Sequence, residues 1–144
     1  MAWTEPSDAE VTSIVRSAKL VAVVGMKNAS APLAPAFTVP AHMKERGIRV
    51  IPVNPTIREA LGEPALASVA ALRERPDVIQ VFRRSELVEP IADEIIQLPE
   101  TMRPKVVWLQ SGIANLAAAE KLEALGIRVV MDRCFAVDLA KLGR

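Results

Sequence analysis

Five short, mainly apolar runs, residues 20–24, 48–53, 78–82, 106–110 and 127–131, punctuate this chain, and between them apolar positions tend to recur three or four residues apart. A continuous apolar run suits a strand covered on both faces, and the wider spacing suits helices that bury one side. The pattern therefore predicts strands alternating with helices, with no hairpin signal between the runs. That is the mark of an α/β chain with a doubly wound sheet of five parallel strands between two helical layers. Right-handed crossovers and the common nucleotide-binding arrangement make 3-2-1-4-5 the expected strand order.

Local signals sharpen the boundaries. Ser7 and Glu10 form a capping-box pattern ahead of the stripe Val11, Ile14, Val15, which predicts a first helix over residues 8–18. The first strand, residues 20–24, stops at Gly25, and a loop over 26–35 leads into a helix with Pro40 in its first turn, Met43 inward and Gly47 at its end. Asn54 and Pro55 close the second strand, since proline disfavours a helical conformation at the residue before it. Residues 56–64 read as a turn with a short helical piece, and Ser68 as the cap of a helix over 69–74. After the third strand comes a helix from about Ser85 or Pro90 to Leu98, carrying Ile91, Ile95 and Ile96 on one side. Asn115 caps an alanine-rich helix that Gly126 terminates, and residues 135–142 form the last helix.

Composition narrows the function classes. A chain of 144 residues is long enough for one domain with a substantial core, so 1–144 is expected to be a single unit. Its net charge of +1 and 3% aromatic content provide neither an electrostatic footprint nor stacking platforms for nucleic acid. The opening residues Met1 to Glu10 lack a basic and then apolar leader, and no apolar run approaches the ~20 residues of a membrane span. A cytoplasmic location with no membrane partner is the expectation. The single cysteine, Cys134, and the single histidine, His42, argue against a disulfide, a cysteine-rich zinc cage, a histidine metal site and a hydrolase triad.

Candidate chemistry gathers at the strand ends. Gly25 followed by Met26 and Lys27 lacks the further glycines of a dinucleotide fingerprint, but it lets backbone approach an anion, and Lys27 adds a point charge. After the second strand an NAD site usually places an acid on the ribose hydroxyls; here Val53, Asn54 and Pro55 offer an amide, which suits a phosphorylated ribose better. Arg83 and Arg84 follow Phe82 directly, and one of the pair can grip a phosphate with two hydrogen bonds. Gln110, Ser111 and Gly112 supply an amide, a hydroxyl and close-approach backbone at the expected switch point between the first and fourth strands. This is equipment for hydrogen bonding, with no catalytic residue assigned. Asp132 and Arg133 read as an ion pair, and Cys134 beside them is the one candidate reactive group, although a lone cysteine is more often a small buried hydrophobe.

Taken as a set, residues 52–55, 77–84, 106–112 and 130–134 resemble the small stand-alone CoA-binding proteins, which are similar to the CoA-binding domain of the succinyl-CoA synthetase alpha subunit. The likeness runs from about Leu20 to the C-terminus. It implies a Rossmann-type fold that binds coenzyme A, with no established catalysis. It also implies a diphosphate near Gly25, Met26, Lys27 and the start of the second helix, where Phe37 and Thr38 lie, and an adenosine end near Val53, Asn54 and Pro55. Phe82, Arg83 and Arg84 would border the ligand, and Gln110, Ser111 and Gly112 would line the crevice. The chain departs from the family pattern at Lys27, where a serine is common, at Leu33, where an arginine is common, and at residues 35–38, where the family has Pro-Ser-Tyr-Arg.

The resulting expectation is a coenzyme A or acyl-CoA binding protein, non-catalytic by itself, as a monomer or homodimer. The alternatives are a module of an acyl-CoA ligase, an NADP-type dinucleotide binder, and a thiol redox module that uses Cys134.

Overall fold

A computed structural model describes residues 3–143; Met1, Ala2 and Arg144, the ends of the expected single unit, lie outside the described residues. In chain order the elements are α1 (Asp8–Ser17), β1 (Leu20–Val24), α2 (Pro35–Glu45), β2 (Arg49–Val53), β3 (Glu59–Ala60), β4 (Glu63–Pro64), β5 (Val78–Val81), α3 (Val88–Ile96), β6 (Val106–Leu109), α4 (Leu116–Glu123), β7 (Arg128–Val130) and α5 (Phe135–Lys141). Five strands pair in parallel in the order β2-β1-β5-β6-β7, and β3 and β4 form a separate antiparallel ribbon.

Side chains alternate across the main sheet and build two apolar layers. Ala22, Val24, Ile79, Val81, Val107 and Leu109 face α3 and α4 in one layer. Val21, Val23, Val78, Val106 and Trp108 face α1, α2 and α5 in the other. Burial on both faces explains why these strands read as apolar runs rather than as alternating patterns.

The strand order corrects the sequence expectation. Counted over the five expected strands it is 2-1-3-4-5, so the third strand lies beside the first and not beside the second. The cause is at the outer edge of β2. Leu66 donates its N–H to the Pro52 carbonyl at 2.9 Å and accepts the Asn54 N–H at 2.8 Å, occupying that edge. Pro52 faces the same way and has no N–H to give a neighbouring strand, which confines it to an edge. A proline inside an apolar run was the available sign that the second strand is peripheral.

Two further local expectations change. Residues 56–64 hold the β3–β4 ribbon in place of a helical piece, turning at Leu61 and Gly62 with φ of 52° and 82°. Leu-Gly is not among the Asn-Gly, Asp-Gly and Gly-Gly pairs that announce a two-residue hairpin, so only Gly62 hinted at this turn. The helix expected over 69–74 is a single 3-10 turn, Val69–Ala71, and Ser68 makes no side-chain cap bond to it.

Helix α2 begins at Pro35, which takes the first helical position, so Pro40 falls inside the helix and is buried. Proline there removes the N–H that the Ala36 carbonyl would otherwise accept four residues back. That carbonyl accepts the Lys27 N–H instead, at 3.0 Å, and so fastens the loop after β1 onto α2. At the other end Ile48 N–H reaches the Met43 carbonyl and Gly47 N–H the Lys44 carbonyl, a Schellman closure that uses the left-handed conformation of Gly47. In α1, Ser7 Oγ accepts the Glu10 N–H at 3.1 Å as expected. The Glu10 carboxylate does not close the capping box; it pairs with Arg128 at 2.8 Å and ties α1 to β7. The free edge of β7 is occupied by side chains, with Trp3 Nε1 on the Val129 carbonyl and the Glu123 carboxylate on the Val129 N–H, both at 2.8 Å.

Candidate functional site

With this order the chain reverses between β1 and β5, and a doubly wound sheet leaves its crevice outside the carboxyl ends of such a pair. Gly25 sits at that seam. It donates its N–H to the Val53 carbonyl at 2.8 Å, and beside it Phe82 donates to the Val24 carbonyl at 2.8 Å. Its φ is +82°, and a Cβ there would lie 2.5 Å from the Phe82 carbonyl oxygen and 3.2 Å from Arg83 Nε. The glycine thus permits the exits of β1 and β5 to touch, with the Arg83 side chain passing over the contact.

On the β2 side of the seam the polar groups serve the protein. Asn54 is buried; its Nδ2 donates to the Met26 carbonyl at 2.9 Å, and its Oδ1 accepts from the Thr56 N–H at 2.9 Å and the Thr56 hydroxyl at 2.7 Å. The Met26 side chain is buried in the layer beneath α1, α2 and α5. Lys27 has its N–H on Ala36 and its side chain in solvent, and Phe37 and Thr38 are half-buried in the first turn of α2.

The β5 and β6 side is different. Arg83 is half-buried and has no ion-pair partner among the described residues, whereas the exposed Arg84 pairs with Glu86 at 3.4 Å. Gln110 is buried against the cleft, and its Oε1 accepts from Gln80 Nε2 at 2.9 Å. Ser111 and Gly112 are exposed on the rim, where the Gly112 N–H meets Asp132 Oδ1 at 2.6 Å. Ser85 holds the rest of the rim: its hydroxyl accepts the Ala114 N–H at 3.1 Å and its carbonyl accepts Asn115 Nδ2 at 3.0 Å.

Two neighbouring cavities meet at Arg83. The larger, about 400 Å³, brings together Phe82, Arg83, Arg84, Gln110, Ser111 and Gly112 beneath the start of α2. The smaller, about 210 Å³, has Val53, Pro55, Ser68, Val69, Arg83 and Glu94 among its walls. Of the residues expected at the site, Gly25, Met26, Lys27, Phe37, Thr38 and Asn54 line neither cavity. Sequence reasoning missed Ser68, read only as a helix cap, and Glu94, which has no local signal. It also missed Gln80, whose signal was a lone amide inside an otherwise apolar strand.

Comparison with known proteins follows the same lines. Residues 19–140 match the profile of the CoA binding domain family. The chain belongs to the CoA binding domain family. The Bacillus subtilis (strain 168) uncharacterized protein YneT is 39% identical over 132 residues, 92% of this chain and 93% of that one. Among solved structures, cell-free ID.343 from Thermus thermophilus superposes with a TM-score of 0.86 at 37% identity, covering 95% of this chain and 99% of that one. A hypothetical protein from Pyrococcus horikoshii OT3 reaches a TM-score of 0.87 at 28% identity, with 100% of each chain covered. YneT and the Thermus chain are matched over nearly their whole length.

Where this member departs from the family pattern, Leu33 projects into solvent, 89% exposed, and Lys27 is likewise exposed. Past β7 the expected pairing changes. Asp132, with a φ of +55°, holds the Gly112 N–H, while Arg133 pairs with Asp138 at 2.9 Å and Asp8 at 3.2 Å. Hydrogen bonding to the Asp138 carboxylate raises the Arg133 guanidinium above its ordinary value, so this tie between α5 and α1 keeps its charge. Cys134 precedes α5, partly buried and packed on the apolar layer beneath it. Among the described residues no group of three or more His, Cys, Asp or Glu side chains is placed to hold a metal, and no helix is long and apolar enough to cross a membrane.

Proposed function

We propose that this protein binds coenzyme A or an acyl-CoA and that it is non-catalytic by itself. The observation that carries the reading is the pair of cavities with Arg83 as their common wall. Such a shape suits a ligand with a compact ring system at one end, an extended arm at the other and anionic charge between. Adenosine fits the smaller cavity against Val53, Pro55 and Val69, with Glu94 as an acceptor for an amino group or a hydroxyl. The diphosphate fits beside the guanidinium of Arg83, which no carboxylate among the described residues neutralises, and near the start of α2, whose first turn contains no acid. The arm then crosses the larger cavity toward Gln110 and Ser111. Membership of the CoA binding domain family supports the same ligand.

Calorimetric titration of the full chain with coenzyme A, acetyl-CoA and NADP tests this. Saturable binding of the CoA species, tighter than that of NADP, is expected. Absence of heat with either CoA species at millimolar concentration overturns the proposal.

A further inference from the structure

The Gln110 amide is held in one orientation. Its Oε1 receives two hydrogen bonds, from Gln80 Nε2 at 2.9 Å and from the main-chain N–H of Phe135 at 3.4 Å. The second donor cannot be turned round. Phe135 opens α5, where a first-turn N–H has no acceptor in its own helix. Its position is set by Arg133 N–H on the Leu109 carbonyl (3.3 Å), by Trp108 Nε1 on the Arg133 carbonyl (2.8 Å), and by the Trp108 and Phe135 rings packed with centroids 4.8 Å apart.

Rotating both glutamine amides would give Gln80 Oε1 a donor, but it would set Gln110 Nε2 against the Phe135 N–H, donor against donor. The chain adopts the other arrangement. Gln80 is wholly buried, and its Oε1 has no donor among the described residues. A buried acceptor left unpaired is destabilising. The fold accepts this contact loss in β5 to keep oxygen facing Phe135. Gln110 Nε2 must then point the other way. It has no acceptor among the described residues, it is not among the buried atoms sealed without a partner, and Gln110 lines the larger cavity.

We propose that Gln110 is a specificity-determining residue that recognises a carbonyl oxygen through its inward-held, cleft-facing NH2, and that Gln80 is the residue that positions it. The ligand arm entering this cavity is therefore one that bears carbonyls, as an amide or a thioester. A fixed donor favours such an acceptor and disfavours a group that can only donate, such as a protonated amine. This rests on the coenzyme A reading above and narrows it to the part of the ligand beyond the diphosphate.

The test compares three ligands on the full chain: adenosine 3′,5′-bisphosphate, which has no carbonyl arm; coenzyme A, which carries amide carbonyls; and acetyl-CoA, which adds a thioester. In ¹⁵N-labelled wild-type protein, the side-chain NH2 resonances of Gln110, assigned by their loss in Gln110→Met, shift with coenzyme A or acetyl-CoA and stay in place when the bisphosphate is bound. A shift with both CoA species assigns the contact to an amide carbonyl, and a shift with acetyl-CoA alone assigns it to the thioester. By calorimetry Gln110→Met weakens the CoA species about five- to tenfold and the bisphosphate less than about twofold. Gln80→Met reproduces that selectivity with a smaller loss, about two- to threefold. Resonances unmoved at saturation with both CoA species, or variants that weaken the bisphosphate as much as coenzyme A, overturn this inference and leave the coenzyme A reading standing. Failure of wild-type protein to bind any of the three overturns both.

Discussion

The two sides of the β1–β5 seam contain similar residue types and use them in opposite ways. On the β2 side the Asn54 amide spends its Nδ2 on Met26 and its Oδ1 on Thr56, and the Lys27 N–H goes to Ala36. On the β5 and β6 side Arg83 lacks an ionic partner among the described residues, and Gln110 keeps its Nε2 for the cleft. On one side the polar groups are spent within the fold, and on the other they stay open to the cleft. An amide at a strand end is therefore not a binding residue by type; its hydrogen bonds decide.

The largest effect is expected where the sides meet. Gly25→Ala adds a Cβ 2.5 Å from the Phe82 carbonyl oxygen at a φ of +82°. It should lower stability by about 3–4 kcal/mol in urea denaturation. A loss below about 1 kcal/mol would mean that the contact relaxes freely.

Asn54→Leu strips the buried tie to Met26 and should cost about 2–3 kcal/mol of stability, while the coenzyme A affinity of the folded protein stays within about threefold. Arg83→Leu should do the reverse. Stability stays within about 0.5 kcal/mol, and coenzyme A affinity falls by about 2 kcal/mol, some thirtyfold, as a charge-assisted hydrogen bond is lost. If Asn54→Leu abolishes binding without unfolding, or Arg83→Leu unfolds the chain, the division between building and binding fails.

The smallest change is Arg84→Ala, at a side chain that is 77% exposed and pairs only at the surface with Glu86. Stability within about 0.5 kcal/mol is expected, and calorimetry should find affinity within about twofold. A larger loss would place the anionic part of the ligand further from the seam than Arg83.

Much of the architecture was legible along the chain. The apolar runs fall on the five strands of the main sheet, Ser7 and Asn115 cap the helices they were expected to cap, and Gly47 and Gly126 follow helix ends. What misled was analogy in place of a residue. The expected order 3-2-1-4-5 puts the second strand inside the sheet although Pro52 marks an edge, and Pro40, expected in a first helical turn, lies inside a helix that begins at Pro35. For the candidate site, the sequence marked an edge and not a list: Phe82, Arg83, Arg84, Gln110, Ser111 and Gly112 line one cavity, while Gln80, whose amide bonds Gln110, carries no signal beyond a lone amide in an apolar strand.

Strand, helix and turn identity came from the sequence because they rest on periodicity, caps and backbone preference, which act over a few neighbouring residues. Strand order, the division of labour at the seam and the direction of the Gln110 amide came only with the tertiary structure. Each depends on partners distant along the chain: the edge of β2 on Leu66, Asn54 on Met26, 28 residues away, Gln110 on Gln80, 30 away, and Phe135 on Gln110, 25 away. A hydrogen bond removes a donor or acceptor from the surface without altering the residue that bears it. The same amide group is thus tied into the fold at Asn54 and keeps its NH2 open to the cleft at Gln110.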